Sequence, residues 1–252
     1  MRNIWAFAKR EYWHYFASPM AYAVALMFVV VVGVIFLSNV FGATRFGQPP
    51  DATVTNSVMT TLFLFFAPII TMRLLADEQR SGTMELLLTG PVREWELVWG
   101  KWLGAWFFSL TLLAITAIYP FILTIYGNPD LGPVLTGYLG LALLYGAILA
   151  LGVLASSFTA NLVAAAAIGY GFVLSIWIFQ GFVDILTALA TVASSEPVQA
   201  VVAVMGYLDL PSHYDNLVSV GLINSSDIVY YVSITFIALY ITTRIVEARR
   251  WR

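Results

Sequence analysis

The stretch LLADEQRSGTMELLLTGPVREWELVWGKW, Leu74 to Trp102, interrupts an otherwise apolar chain. Charges crowd at Asp77, Glu78 and Arg80 and again at Arg93, Glu94 and Glu96. Gly82, Gly90 and Pro91 break the run, and apolar sequence resumes at Trp102. Across the 252 residues, 60% are hydrophobic and only 10% charged, more apolar surface than a soluble domain of this size covers. The stretch therefore marks a place where the chain leaves the membrane and returns. How many spans lie on either side of it decides the fold.

Taking ~20 apolar residues per membrane helix, six candidate spans emerge, at about 20–41, 58–76, 102–126, 134–157, 161–182 and 227–246. Turn-forming residues separate them: Gly47 to Pro50, Gly127 to Asp130, and Pro211. Only Ser156 to Asn161 divides the fourth span from the fifth, which predicts a tight antiparallel hairpin. Pro68 and Pro120 fall inside spans and are expected kink sites. With no internal repeat or low-complexity linker, residues 1–252 read as one all-α membrane domain.

Six spans put both ends of the chain on one side. With those ends in the cytosol, Arg2, Lys9, Arg10, Arg73, Arg80, Arg93, Lys101, Arg244, Arg249, Arg250 and Arg252 lie inside and Arg45 alone lies outside, eleven of the twelve Lys and Arg residues. A missed or invented span would scatter them. A bacterial cytoplasmic membrane location is expected. The near-neutral net charge of −2 implies no nucleic-acid partner, and the absence of cysteine excludes disulfides and thiolate chemistry.

Residues 1–18 carry six aromatics among their first sixteen positions. On a helical wheel Ile4, Trp5, Ala8, Tyr12, Tyr15 and Phe16 share an arc, with Lys9, Arg10 and His14 mainly on the other side, while Phe7 and Trp13 blur the pattern. This is expected to be an amphipathic helix lying in the headgroup plane. It lacks the cleavage pattern of a signal peptide, so it is expected to be retained. Ser18-Pro19 ends it, with Pro19 opening the first span.

Within residues 77–101, Asp77 to Arg80 extend the second span, Gly82 suits a helix C-cap, "TMELLL" forms a short amphipathic piece, and Pro91 is placed to open the next helix. The apolar Met84, Leu87 and Leu88 require cover from lipid, from the same chain or from a second protein. A plain connection needs none of this.

"DEQRSGTMELLLTGPVREWELVWGKWLGA" resembles the signature of ABC-2-type exporter permeases, E-x-x-S-G-T-[LM]-E-L-L-L followed by a Pro-containing turn and G-K. "KREYWHYFASPMAY" is similar to the N-terminal pattern of the same family. "HYDNLVSVGLINSSDIVYY", His213 to Tyr231, resembles the C-terminal pattern of its gliding-motility GldF-like branch. The three cover both ends and the centre of the chain, in order. The resemblance implies a permease subunit whose loop between spans two and three is a coupling helix seated in a cytosolic ABC ATPase dimer. Glu78, Ser81, Gly82, Thr83, Met84, Glu85, Leu86, Leu87 and Leu88 carry that role by position, charges orienting the docking and leucines anchoring it. Ser156, Ser157, Thr159 and Asn161 would form a second cytosolic contact. It also implies a second permease copy or a related membrane subunit, in the GldF-like branch one with a large extracytoplasmic domain.

The chain has no G-x-x-x-x-G-K-[ST]. No cofactor is expected in it, ATP and Mg being expected in the partner. No catalytic set stands out, and His14 and His213 lie on opposite sides. A secondary carrier or channel is the rival reading, opposed by the lack of mid-span acids. Another is a complex that transmits force and moves no solute.

Residues 183–226 are expected to hold two short extracytoplasmic helices split near Ser194 to Pro197, followed by His213, Tyr214 and Asp215, which either bind something or fix the loop before the last span. Gly33, Gly104, Gly137, Gly140, Gly146, Gly152, Ala164 to Ala167, Gly169 and Gly171 are expected at close helix contacts.

Overall fold

The computed structural model describes residues 2–47, 52–90, 92–126, 131–193, 196–211, 213–214 and 224–250. Apolar chain in lipid satisfies its backbone within helices, and the elements are helical throughout: α1 (Arg2–Ala17), α2 (Pro19–Phe46), α3 (Ala52–Thr71), α4 (Arg73–Ser81), α5 (Thr83–Thr89), α6 (Glu94–Thr116), α7 (Ile118–Tyr126), α8 (Leu131–Ser157), α9 (Leu162–Ala193), α10 (Glu196–Leu208) and α11 (Ser225–Arg250). Six stretches are long and apolar enough to cross a membrane: Pro19–Phe46, Val54–Ser81, Glu94–Ile125, Gly132–Ser157, Leu162–Leu189 and Ser225–Arg249. They coincide with the six read from the sequence, most of them extended by a turn or more.

Local chemistry sets the boundaries. Ser18 is extended and Pro19 occupies the first turn of α2, where its missing N–H costs nothing. Gly47 closes α2 in the left-handed region, φ 64°, its N–H bonding back to Ala43 and Thr44. Both intramembrane prolines lie close to a helix break, Pro68 four residues before Met72 and Pro120 three after Ala117.

Helix α8 is the hub, packed against α3, α6, α9 and α11. Tyr145 of α8 stacks on Phe63 of α3 and donates to the Met59 carbonyl at 3.1 Å. Trp102 and Trp106 of α6 donate to the α8 carbonyls of Gly146 and Ala142 at 2.9 and 2.8 Å. These indole bonds fix the rotation of α6 against α8, since each needs its ring facing one carbonyl.

Helix α1 packs along the start of α6. Phe7 lies against Gly100, Glu11 against Gly104 and Tyr15 stacks on Phe108, a constant offset of 93 residues. The two helices therefore run side by side in the same direction. The cause is the Gly100-x-x-x-Gly104 pair. A Cβ at Gly100 would stand 2.5 Å from Phe7 Cβ, and one at Gly104 2.6 Å from Glu11 Cβ. Small residues one turn apart open the slot that α1 fills. Phe7, which blurred the sequence pattern, belongs to the buried face, whereas Trp5 is exposed.

Two further expectations are corrected. The fifth span does not stop near residue 182. It continues as α9 to Ala193, so the first of the two expected short helices is the end of a long one, and α10 follows as the second. The helix of the third span begins at Glu94, after Pro91, with the Glu96 carboxylate accepting the Arg93 N–H at 3.2 Å and the Asn3 amide at 3.0 Å. Pro91, Ser194 and Ser195 lie outside the described residues.

Candidate coupling interface

Contacts bring α1, α4, α5, the start of α6, the end of α8 and the end of α11 to one end of the bundle, here called the basic end. Most of the chain's Lys and Arg residues meet there.

Residues 73–81 form an arm that extends the second span past a break at Met72. Ser156 of α8 makes the break. Its hydroxyl accepts the N–H groups of Leu75 and Ala76, at 3.1 and 3.0 Å, and donates to the Met72 carbonyl at 3.0 Å. A side chain inserted into the i→i−4 ladder bends a helix. One turn earlier, a Cβ on Gly152 would fall 2.2 Å from Thr71 Oγ1, so α8 and α3 touch where the arm departs. Gln79 of the arm and Arg249 of α11 both donate to the Ser157 carbonyl, at 3.3 and 2.9 Å, satisfying a C-terminal acceptor of α8.

A charge cluster holds the arm's other side. Lys101 of α6, 2% exposed, donates to Glu11 of α1 at 2.8 Å and lies 3.0 Å from Glu78 of α4. Arg10 bridges the same carboxylates at 3.3 and 2.9 Å. Two cations and two anions thus tie three helices. Burial pushes the Glu11 pKa up, but the charge and hydrogen bond of Lys101, with Arg10 behind them, outweigh it and hold the carboxyl below its ordinary 4.5. A cavity of about 190 Å³ beside the cluster is lined also by His14, Arg73 and Asp77.

The arm ends at Gly82, φ 73°, a left-handed cap that reverses the chain into α5. The Ser81 and Thr83 hydroxyls bond across that cap at 2.9 Å.

The structure divides the residues that the sequence grouped as one docking set. Ser81, Gly82, Thr83 and Glu85 are exposed, and Leu86 is 74% exposed at the tip. Met84 is buried at 4%, and Leu87 is half-buried against the core. Glu78 is turned inward to Lys101 and Arg10, because the low-dielectric site around a buried ammonium demands a counter-charge. It does not face outward to orient a partner. Leu88 is helical; its side chain lies outside the described residues.

The second loop divides likewise. Ser156 and Ser157 are fully buried, Ser157 bonding its own turn at Leu154. They act within the fold and are not surface contacts. Asn161 is exposed and caps α9 through the Val163 N–H at 2.9 Å, and Thr159 is half-exposed. Phe158, 49% exposed, was not singled out and is the larger apolar side chain there. Gln79, Gly82, Met84 and Glu85 of the arm and hairpin face Ile245, Ala248 and Arg249 of α11 across a cavity of about 590 Å³.

At the far end, His213 is buried, Nδ1 2.6 Å from Asp227 Oδ1 and Nε2 2.8 Å from the Tyr207 carbonyl, and it stacks on Tyr230 at 4.0 Å. Tyr214 is buried too. This geometry fastens the segment after α10 to the first turn of α11. Asp215 lies outside the described residues. Among the described residues no group of three or more His, Asp or Glu could hold a metal ion.

Six spans, α8 among them as the hub, and a reversed helical arm at the basic end set the architecture, and comparison with known proteins gives its class. Residues 23–245 match the family model described as ABC-2 family transporter protein. The chain belongs to that family of transporter proteins. It is similar to the "Probable ABC transporter permease protein NosY" of Pseudomonas aeruginosa, 32% identical over 111 residues, which cover 41% of this chain and 39% of that protein. The chain therefore spans well under half the length of this curated relative.

Proposed function

We propose that the chain forms the translocation pathway and couples to a separate cytosolic ABC ATPase dimer through the α4–Gly82–α5 hairpin. ATP and Mg bind in that partner, and this chain performs no hydrolysis. The basic end faces the cytosol of a bacterial cell, with the chain embedded in its inner membrane and both ends inside. A second permease copy, or a related membrane subunit, completes the pathway. The C-terminal resemblance to the GldF-like branch supports a partner bearing a large extracytoplasmic domain.

The observation that carries the coupling reading is Leu86. It stands 74% exposed on a seven-residue helix that the rest of the fold holds in place from several sides. Met84 anchors that helix beneath, Ser156 fixes the root of the arm and Lys101 ties its flank. A push on α5 passes along α4 to α8, which packs against four spans, and through Lys101 to α6 and α1. An exposed leucine on a braced tip suits an ATPase groove; a flexible loop would absorb the push.

The test is copurification of the ATPase with Leu86→Asp. Charging a desolvated anchor at a hot spot costs at least ~2 kcal/mol, about 30-fold in affinity. Membrane abundance should stay normal, since Leu86 is 74% exposed. Retention of the ATPase at unaltered affinity would remove the coupling assignment.

A further inference from the structure

We propose that the groove between α1 and α6 is a binding site for one anionic phospholipid of the leaflet in which α1 lies. Its phosphate pairs with Lys9, and an acyl chain lies along α6. The groove holds about 570 Å³, within the range of built small-molecule sites. One wall is a stripe on α1, Trp5, Lys9 and Trp13, spaced four residues apart, with both indoles about 60% exposed. The floor is Phe107, Leu110 and Ala114 of α6.

Charge selects the occupant. At this end Arg10 and Lys101 are matched by Glu11 and Glu78. Among the described residues no ion pair involves Lys9, which sits at the mouth of an apolar groove. A cation beside an apolar channel fits a ligand that is anionic at one end and hydrocarbon at the other. Free phosphate would leave the floor uncovered.

Length fits as well. On the groove's side Trp5 meets Phe107 and Tyr12 meets Thr111, and the α6 floor from Phe107 to Ala114 rises about 10 Å, which lies within one leaflet's share of a ~30 Å hydrocarbon core. The two hydroxyls within the groove do not oppose a hydrocarbon chain. Tyr12 donates to Thr111 at 3.1 Å and Thr111 to the Phe107 carbonyl at 2.9 Å, so neither is left without a bond. Indoles flanking a cation are the usual furniture of the headgroup level.

The experiment is a native mass-spectrometric titration of the purified full chain with dioleoylphosphatidylglycerol and, separately, dioleoylphosphatidylcholine. The wild type should retain one phosphatidylglycerol in preference to phosphatidylcholine, with inorganic phosphate failing to compete. Lys9→Gln should weaken phosphatidylglycerol about fivefold, the factor for ~1 kcal/mol per surface cation, and abolish the preference, while Lys9→Arg keeps it. Arg80→Gln, a cation at the same end but outside the groove, should change nothing. Ala114→Trp fills the floor and should weaken both lipids. Equal retention of the two lipids by the wild type, or an intact preference in Lys9→Gln, overturns the proposal. Because Lys9 is exposed, that variant folds whether or not Ala114→Trp does.

Discussion

Adjacent serines at the end of α8 have different jobs, and substitution should separate them. Ser156 matches two N–H groups and one carbonyl of another helix, whereas Ser157 bonds only its own turn. Ser156→Ala leaves buried groups unmatched, at about 1–3 kcal/mol, and should lower the thermal midpoint of the purified protein. Ser157→Ala should lower it much less. Lys101 carries a larger stake. Lys101→Met leaves Glu11 and Glu78 facing each other in a buried site, a change worth about 3–5 kcal/mol. Replacing both carboxylates as well, Glu11→Leu and Glu78→Leu in the Lys101→Met background, should recover much of the loss in a thermal unfolding assay. Gly82 was legible from the sequence because a left-handed cap has a local signature. Ser156 was not, since its partners lie some 80 residues away and a serine in a turn looks like any other. The same holds for Glu78, which reads as a surface charge until Lys101 is placed beside it.

At the scale of elements, α1 and the arm are one assembly joined by charge. Glu11 gives its contact a defined pH dependence. Its folded pKa lies below 4.5, so the stabilisation is present above the ordinary carboxylate range and is lost as pH falls through the lowered value. Hydrogen exchange of α1 should therefore rise selectively on acidification below about pH 4.5, and Glu11→Gln should show raised exchange already at neutral pH. The opposite order would remove the cluster from this role. Gly104→Leu puts a side chain into space held by Glu11 and the Ala8 carbonyl. It should displace α1 and raise its exchange while α8 and α11 stay protected. The existence of α1, and most of its buried face, could be read from its aromatic periodicity. Its direction could not, because the slot that receives it is formed by Gly100 and Gly104 more than 80 residues away. The run-on of α9 was missed for a different reason: residues 183–193 are apolar but interrupted by Asp184, and hydropathy alone does not separate a long helix from a broken one.

For the whole molecule, the span count and the basic end follow from composition, since eleven cations on one side constrain six helices more tightly than any local motif. The absence of native cysteine makes the topology testable with single substitutions. Phe46→Cys, exposed at the end of α2, should react with an impermeant thiol reagent added outside, and Ser81→Cys should not. The reverse pattern would invert the protein in its membrane. The proposed docking surface was only partly legible. Sequence placed it between the second and third spans, but the inward turn of Glu78 and Met84 and the outward turn of Leu86 depend on packing against α6, α8 and α11. The most direct measurement of the coupling claim is therefore a photo-crosslinker at Leu86 in native membranes, with a control at Tyr207, exposed at the far end. The account predicts an adduct between position 86 and an ABC ATPase subunit, and none from position 207. An adduct with lipid alone at position 86, or an ATPase adduct from position 207, would contradict it.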